Sequence, residues 1–344
     1  VNVKFEVEPL HIDTRDPFTI ARGTRTGYDI FIVSLTVDGI TGIGEIAPQP
    51  FYHETPMTVR TAIGSIGAHL HGDPETMRRD IHDRSTVLGG LLHEHAAVRA
   101  GLDMALWDLR GRGEGRPVWD LVGADPSRTP FTSYTIGFDT PDAIDRKVDA
   151  AGEYRVLKVK MGVPGDLAIL DRVIERSGKI IRVDANQGWD LDAALDRSRA
   201  LFHRGVEFCE QPMPRENEDD FETLRSLSPL PILLDESVIG PGDPTRRRRQ
   251  GHGINIKLMK CGGITPALAM IEEARSLGLS IMIGCMIETS VGVTAAAHLS
   301  PLVDYADLDG NLLLAHDPFV GVTVRDGRLV LPGVPGLGVT RRAQ

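Results

Sequence analysis

Lys158-Val-Lys160, Asp184-Ala-Asn186, Glu210-Gln-Pro, Asp235-Glu-Ser and Asn255-Ile-Lys257 each end a short apolar run, in chain order base, acid, acid, acid, base. Three carboxylates brought to one place repel one another unless a cation neutralises them, and an all-oxygen donor set suits Mg2+. Two amines on opposite sides of one carbon can take a proton from one face and return it to the other. The α-proton of a carboxylate is very weakly acidic. Its removal, which leaves an enediolate, calls for positive charge at the carboxylate oxygens, and a divalent ion supplies it. Lys158 lies two residues from Lys160 on the same strand face, so each ammonium is expected to disfavour the charged form of the other. One charged strand end is ordinary; five in succession point to a shared site.

The elements that must position these groups follow from the spacing of the apolar runs. Runs at 131–136, 156–161, 180–183, 206–209, 232–234, 254–258, 280–283 and 303–306 recur roughly every 20 to 28 residues, separated by helical patterns. That spacing predicts an α/β architecture in which eight units close into a barrel, with the site at the C-terminal ends of the strands; an open doubly wound sheet is the alternative. In the closed form strands 2 and 6 stand opposite, so Lys160 and Lys257 would face a substrate from two sides. Before the barrel, residues 3–12 alternate, 28–37 are rich in β-branched residues and Asp38-Gly39 suits a hairpin turn. Residues 56–112 read as helix, with Ala97, Gly101, Ala105 and Leu109 spaced four apart. The expected division is an α+β domain over 1–117, a barrel over 118–319, and a segment 320–344 that completes the first domain. Within the last segment, Arg325-Asp326-Gly327-Arg328 is expected to turn a hairpin back towards that domain.

Composition removes several classes of function. Thirty-eight Lys and Arg against 48 Asp and Glu leave a net charge of −10, which repels phosphate backbones and anionic membranes. No apolar stretch approaches the ~20 residues of a membrane span. The start of the chain alternates like a strand, so no export signal is expected. Cys209, Cys261 and Cys285 have no CxxC spacing, which disfavours a disulfide framework or a thiolate zinc site and fits the cytoplasm. His93-Glu94-His95 is expected on a surface turn, and Arg246 to Arg249 on a solvated helix face.

With its charged strand ends in this register, the chain resembles the enolase superfamily, and within it the muconate-lactonizing-enzyme-like subgroup, whose KxK lysine on strand 2 faces a lysine on strand 6. The resemblance implies a modified (β/α)8 TIM barrel with an N-terminal α+β capping domain. It implies one Mg2+ per active site, held by Asp184, Glu210 and Asp235. Lys160 and Lys257 would be the acid/base pair, serving the L and the D epimer respectively, with Lys158 polarising or tuning the site. A narrower resemblance is to dipeptide epimerases. Asp307-Leu-Asp309-Gly310 at the end of strand 8 is similar to their Asp-x-Asp, which holds the substrate α-ammonium. Gly284-Cys285-Met286-Ile287-Glu288-Thr289 is similar to their strand 7, placing Cys285 and Met286 at the substrate. Thr135 matches a threonine at the edge of the site. Residues 18–27 resemble the substrate-covering loop of L-Ala-D/L-Glu epimerases, and its Arg22, favoured by the position of the family's loop arginine, and then Arg25 suit a substrate carboxylate, with a solvated hairpin as the plain alternative.

The implied function is inversion of the α-carbon of the second residue of a murein-type dipeptide, L-Ala-L-Glu. The implied partner is that small molecule, with no nucleic acid and no membrane, and with a homo-oligomer left open. The rival within the fold is a cycloisomerase or o-succinylbenzoate synthase; from another class, a catalytically silent metal-stabilised binding protein.

Overall fold

The computed structural model describes residues 3–20 and 23–343. Its first unit is an antiparallel sheet in the order β1 (Val3–Ile20), β2 (Gly23–Val37), β3 (Ile40–Ile46). Asp38 and Gly39, at φ 50° and 83°, make the two-residue turn between β2 and β3 that suits the right-handed twist of the strands. Helix Ala96–Glu114 lies across β3, and its small residues explain how closely. A Cβ on Gly44 would stand 2.0 Å from the Gly101 carbonyl oxygen, and one on Gly42 2.0 Å from that of Ala105. The four-residue spacing of small side chains is therefore the seam between helix and sheet.

β1 and β2 run further than the alternation at 3–12 and 28–37 suggests. Beyond a bulge after Asp13, Phe18 pairs with Arg25 and Thr19 with Thr24. Residues 18–20 and 23–27 of the segment read as a loop thus form the end of a β-ribbon, because paired backbone groups there have a partner that periodicity alone does not reveal.

The barrel is a parallel sheet of eight strands: β4 (Ser133–Ile136), β5 (Val156–Lys160), β6 (Ile180–Asp184), β7 (Cys209–Glu210), β8 (Ile232–Leu234), β9 (Gly253–Lys257), β10 (Ser280–Gly284) and β11 (Tyr305–Asp307). A parallel bridge from Thr132 to Ala306 joins its first and last strands, so the sheet closes. Each strand falls on one of the eight apolar runs. β7 is shorter than its run, since residues 206–208 share only single hydrogen bonds with β6, such as Glu207 N–H to the Ile181 carbonyl at 2.8 Å.

After the barrel, Thr323–Arg325 and Arg328–Val330 form a hairpin through Asp326 and Gly327. It seats at the start of β4, where Thr132 N–H donates to the Gly327 carbonyl at 3.0 Å. The return to the first unit is made further on, where Leu337 N–H donates to Asp108 Oδ1 at 2.7 Å. The two units are also joined by carboxylates of the first that cap barrel helices. Glu45 on β3 accepts from the N–H groups of Thr289 and Gly292, both at 3.0 Å, at the start of helix Ser290–Ala297. Asp103 accepts from Thr265 N–H at 2.9 Å at the start of helix Ile264–Ser276. Among the described residues no helix is long and apolar enough to cross a membrane.

The two bland expectations have the following outcome. His93 lies at the break between helices Val87–Leu92 and Ala96–Glu114 and pairs with Glu94 at 3.2 Å. In the arginine run Arg246, Arg248 and Arg249 are exposed as expected, Arg249 meeting Glu222 at 3.3 Å, whereas Arg247 is largely buried against Glu218 at 2.5 Å, because the acidic helix Glu218–Leu227 lies alongside.

Candidate active site

Strand register assembles the site. Side chains at i and i+2 share a face, so Lys158 and Lys160 both enter the barrel from β5. Lys160 is in register with Asp184, and Asp184 with Glu210. Across the ring Lys257 is in register with Gly284, and Gly284 with Asp307. Gly284 must be small here: a Cβ would stand 2.7 Å from Asn255 Oδ1. β5 and β9 are four strands apart in either direction around the eight-stranded ring, so their lysines enter from opposite sides.

The electrostatics are those of interleaved ammonium and carboxylate groups in a dry core. Lys158 Nζ lies 2.6 Å from Asp307 Oδ2, 2.7 Å from Glu210 Oε2 and 3.1 Å from Asp184 Oδ2. Lys160 Nζ lies 2.7 Å from Asp184 Oδ2, and Lys257 Nζ 2.9 Å from Asp235 Oδ2. All seven of these side chains are buried. Burial works against charge on Lys158, but Asp307, Glu210 and Asp184 outweigh it and hold its pKa well above the ordinary lysine value. Lys257 is raised in the same way by Asp235 and Glu210. For Lys158 this corrects the sequence-based expectation of repulsion by its neighbour: three carboxylates within 3.1 Å of its ammonium dominate.

Burial likewise opposes charge on Asp184 and Asp235, yet the adjacent lysines prevail and hold both below the usual carboxylate range. Glu210 goes the other way. Burial, with Asp184 and Asp235 on either side, pushes it up to about 8.

The second acidic pair is asymmetric. Asp307 is engaged on both oxygens, by Lys158 and by a short hydrogen bond from the Ser133 hydroxyl. Asp309 accepts the Thr135 N–H at 2.6 Å, and burial together with repulsion from Asp307 pushes its pKa up to about 6. Thr135 therefore meets Asp309 through both its side chain and its backbone. Both aspartates, Thr135, Cys285 and Met286 line a cavity of about 490 Å3 over the barrel mouth, together with all three lysines. The ribbon covers one side of it. Phe18 stands with its ring centroid 5.9 Å from Lys160 Nζ, and Arg25 lines the rim with its guanidinium 5.7 Å from the centre of the Tyr28 ring. Arg22 lies outside the described residues.

Three participants escaped the sequence reading. Asn255 Nδ2 donates to Glu210 Oε1 at 2.8 Å, and its place two residues before Lys257 on one strand face was the available signal. Lys260, one helical turn beyond Lys257, pairs with Asp235 Oδ1 at 2.6 Å. Glu288 accepts the Met286 N–H at 2.6 Å and so shapes the wall that carries Cys285 and Met286. Burial and the nearby Glu45 push Glu288 up to about 8.

Among the described residues no three Asp, Glu, His or Cys side chains stand as a ready metal cage. Asp235 is drawn towards Lys257 and Lys260, and Asp184 towards Lys160. The donor set nevertheless fits a hard divalent ion: three buried carboxylates at consecutive strand ends, all oxygen, with positive charge already clustered on them. Glu210 Oε2 meets the Lys158 ammonium without a well-directed hydrogen bond, so it keeps a lone pair for another cation.

The chain as a whole is similar to known proteins. Residues 139–344 match the family described as enolase C-terminal domain-like, and 4–123 match the mandelate racemase / muconate lactonizing enzyme N-terminal domain. The chain is 38% identical over 341 residues to the L-Ala-D/L-Glu epimerase of Bacteroides thetaiotaomicron, covering 98% of this chain and 88% of that one. A dipeptide epimerase from Enterococcus faecalis, complexed with Mg and L-Leu-L-Tyr, superimposes with a TM-score of 0.91 at 31% identity, covering 99% of this chain and 100% of the other. One from Methylococcus capsulatus, complexed with Mg and L-Arg-D-Lys, gives 0.89 at 33% identity over 98% of both chains.

Proposed function

The chain belongs to the dipeptide epimerases of the mandelate racemase and muconate lactonizing enzyme family, and from that premise we propose that it is a Mg2+-dependent epimerase inverting the α-carbon of a dipeptide's second residue. The observation that carries the proposal is the pair of buried lysines, Lys160 and Lys257, entering one cavity from opposed strands, each anchored by its own aspartate. Mg2+ held by Asp184, Glu210 and Asp235 would supply the positive charge that makes the α-proton of a carboxylate removable.

The remaining steps belong to the side chains. One lysine takes the proton at its Nζ and the other returns one to the opposite face; the family pattern gives the L epimer to Lys160 and the D epimer to Lys257. Each must first be free of its proton to act as a base. Asp309 is the less compensated of the acidic pair and is suited to a substrate α-ammonium, while Asp307 keeps Lys158 in place. Phe18 helps to exclude water above Lys160. The three free cysteines fit a cytoplasmic enzyme.

For the substrate we propose L-Ala-L-Glu, interconverted with L-Ala-D-Glu. Arg25 at the cavity rim supports an acidic side chain, since a charge-assisted contact rejects the wrong charge more strongly than an apolar pocket rejects the wrong size. The choice rests on this residue rather than on overall identity, since relatives of similar identity were solved with dipeptides as different as L-Leu-L-Tyr and L-Arg-D-Lys. The test is solvent deuterium incorporation into a panel of L-Ala-L-Xaa dipeptides, with and without chelator. Ala-Glu should be preferred, and Arg25→Ala should lower its kcat/KM about ten- to a hundred-fold, equivalent to ~1.5 to 3 kcal/mol. Preference for Ala-Lys, Ala-Phe or Ala-Leu would refute the side-chain assignment, and full activity after exhaustive chelation would refute the metal.

A further inference from the structure

Lys260 is among the most buried charged groups of the protein, with its side chain 1% exposed, and it does not line the cavity. It sits on the short turn Leu258–Cys261 directly after β9. Its ammonium has three donors and all are used: on Asp235 Oδ1 at 2.6 Å, on the Asp235 carbonyl at 2.6 Å and on the Asn255 carbonyl at 3.0 Å. Nothing is left for a substrate, so any part it plays in the reaction passes through Asp235. That carboxylate is shared: Lys260 takes Oδ1 and Lys257 takes Oδ2. With side chain and carbonyl both gripped, Asp235 has one rotamer that keeps all the bonds, and this rotamer fixes where Lys257 stands.

The turn is itself clamped by the first unit. Ala47 N–H donates to Met259 Sδ at 3.4 Å, and a Cβ on Gly263 would stand 2.5 Å from the Asp103 carboxylate.

We propose that Lys260 is a positioning residue for one half of the proton transfer: by holding Asp235 it sets the place of Lys257, and it leaves Lys160 on the opposite strand alone. This rests on the two-lysine reading above. A purely structural lysine would weaken both directions alike; a positioning one acts on one side.

The experiment compares wild type with Lys260→Met and Lys260→Gln, which remove the charge, and with Lys260→Arg, which keeps it. At saturating Mg2+, early deuterium incorporation is measured separately from L-Ala-L-Glu and from L-Ala-D-Glu. Loss of the charge should slow exchange out of the D epimer by about tenfold or more relative to the L epimer, the scale expected of a misplaced reacting group, and arginine should restore most of that ratio. A second readout needs no turnover. In metal-free protein, acylation of Lys257 relative to Lys160, read by mass spectrometry, should fall several-fold in the two uncharged variants, because Asp235 then pairs with Lys257 alone. Where an uncharged variant does not fold, Lys260→Arg still moves the guanidinium off the ammonium position and should shift the labelling ratio in the same sense, to a smaller extent. Equal losses from both epimers, or an unchanged labelling ratio in every folded variant, would overturn the proposal. A wild type that exchanges no dipeptide would instead defeat the reading of function, while the labelling ratio still decides on Lys260.

Discussion

The barrel mouth and the seam between the two units each bury several carboxylates, and they compensate them differently. At the mouth Asp184, Asp235 and Asp307 face lysine ammonium groups on flexible stems. At the seam Glu45 and Asp103 face N–H groups at helix N-termini: Thr289 and Gly292 for Glu45, and Thr265 for Asp103, which His82 also meets. A lysine stem leaves its ammonium room to adjust when a substrate arrives; a helix N-terminus leaves none. The same residue types thus meet a more mobile countercharge in one place than in the other, at similar burial.

The largest break in this comparison should come at the mouth. Lys160→Ala or Lys257→Ala should reduce epimerisation by about 10²- to 10⁴-fold, the usual weight of a proton-transfer group, while deuterium exchange from the epimer served by the remaining lysine persists. A variant that still interconverts both epimers at the wild-type rate would require a mechanism with one base. At the seam, Glu45→Ala should cost about 2 to 3 kcal/mol in equilibrium unfolding, through the orphaned N–H groups of Thr289 and Gly292, with turnover far less affected than by either lysine change. Loss of turnover as complete as in the lysine variants would erase the distinction between the two regions.

The finest contrast is in pH dependence. Burial pushes Glu45 up to about 7, only partly offset by the hydrogen bonds from Thr289 and Gly292, and Glu288 up to about 8. An acid whose folded pKa is raised holds its proton after the unfolded chain has released its own, so it withdraws stability as pH rises from about 4.5 to about 8. Asp184 and Asp235, held low by lysines, do the reverse: their contribution is present above the ordinary carboxylate pKa and is lost on acidification. Urea unfolding of metal-free protein should show Glu45→Gln less sensitive to pH than wild type between pH 5 and 8, by on the order of 2 to 3 kcal/mol. Parallel curves for the two proteins would mean that the seam carboxylates do not titrate there.

Much of the barrel and the skeleton of its site were legible in the sequence because both repeat. Each strand had to be apolar to be buried on two faces, and each of five strands ended in a charge, so period and punctuation marked β5 to β9 before any coordinates. The ribbon of residues 18–20 and 23–27 was not legible as strand, since it lacks a clear alternation and only the partner strand fixes its conformation. Lys260 was missed for another reason. A lysine on a turn reads as solvated, and only the fold turns it inward onto a carboxylate 25 residues away.

The amino-acid sequence by itself determined which groups are available and at which strand ends they stand, because side-chain alternation and run spacing are local properties of the chain. Tertiary structure alone decided how charges are shared: that Lys158 is claimed by Asp307 across 149 residues, and that Glu45 caps a helix 244 residues away. The physical reason is that an ionisable group in a dry interior takes its charge state from whatever lies within a few ångströms, and closing the barrel against the first unit is what chooses those neighbours.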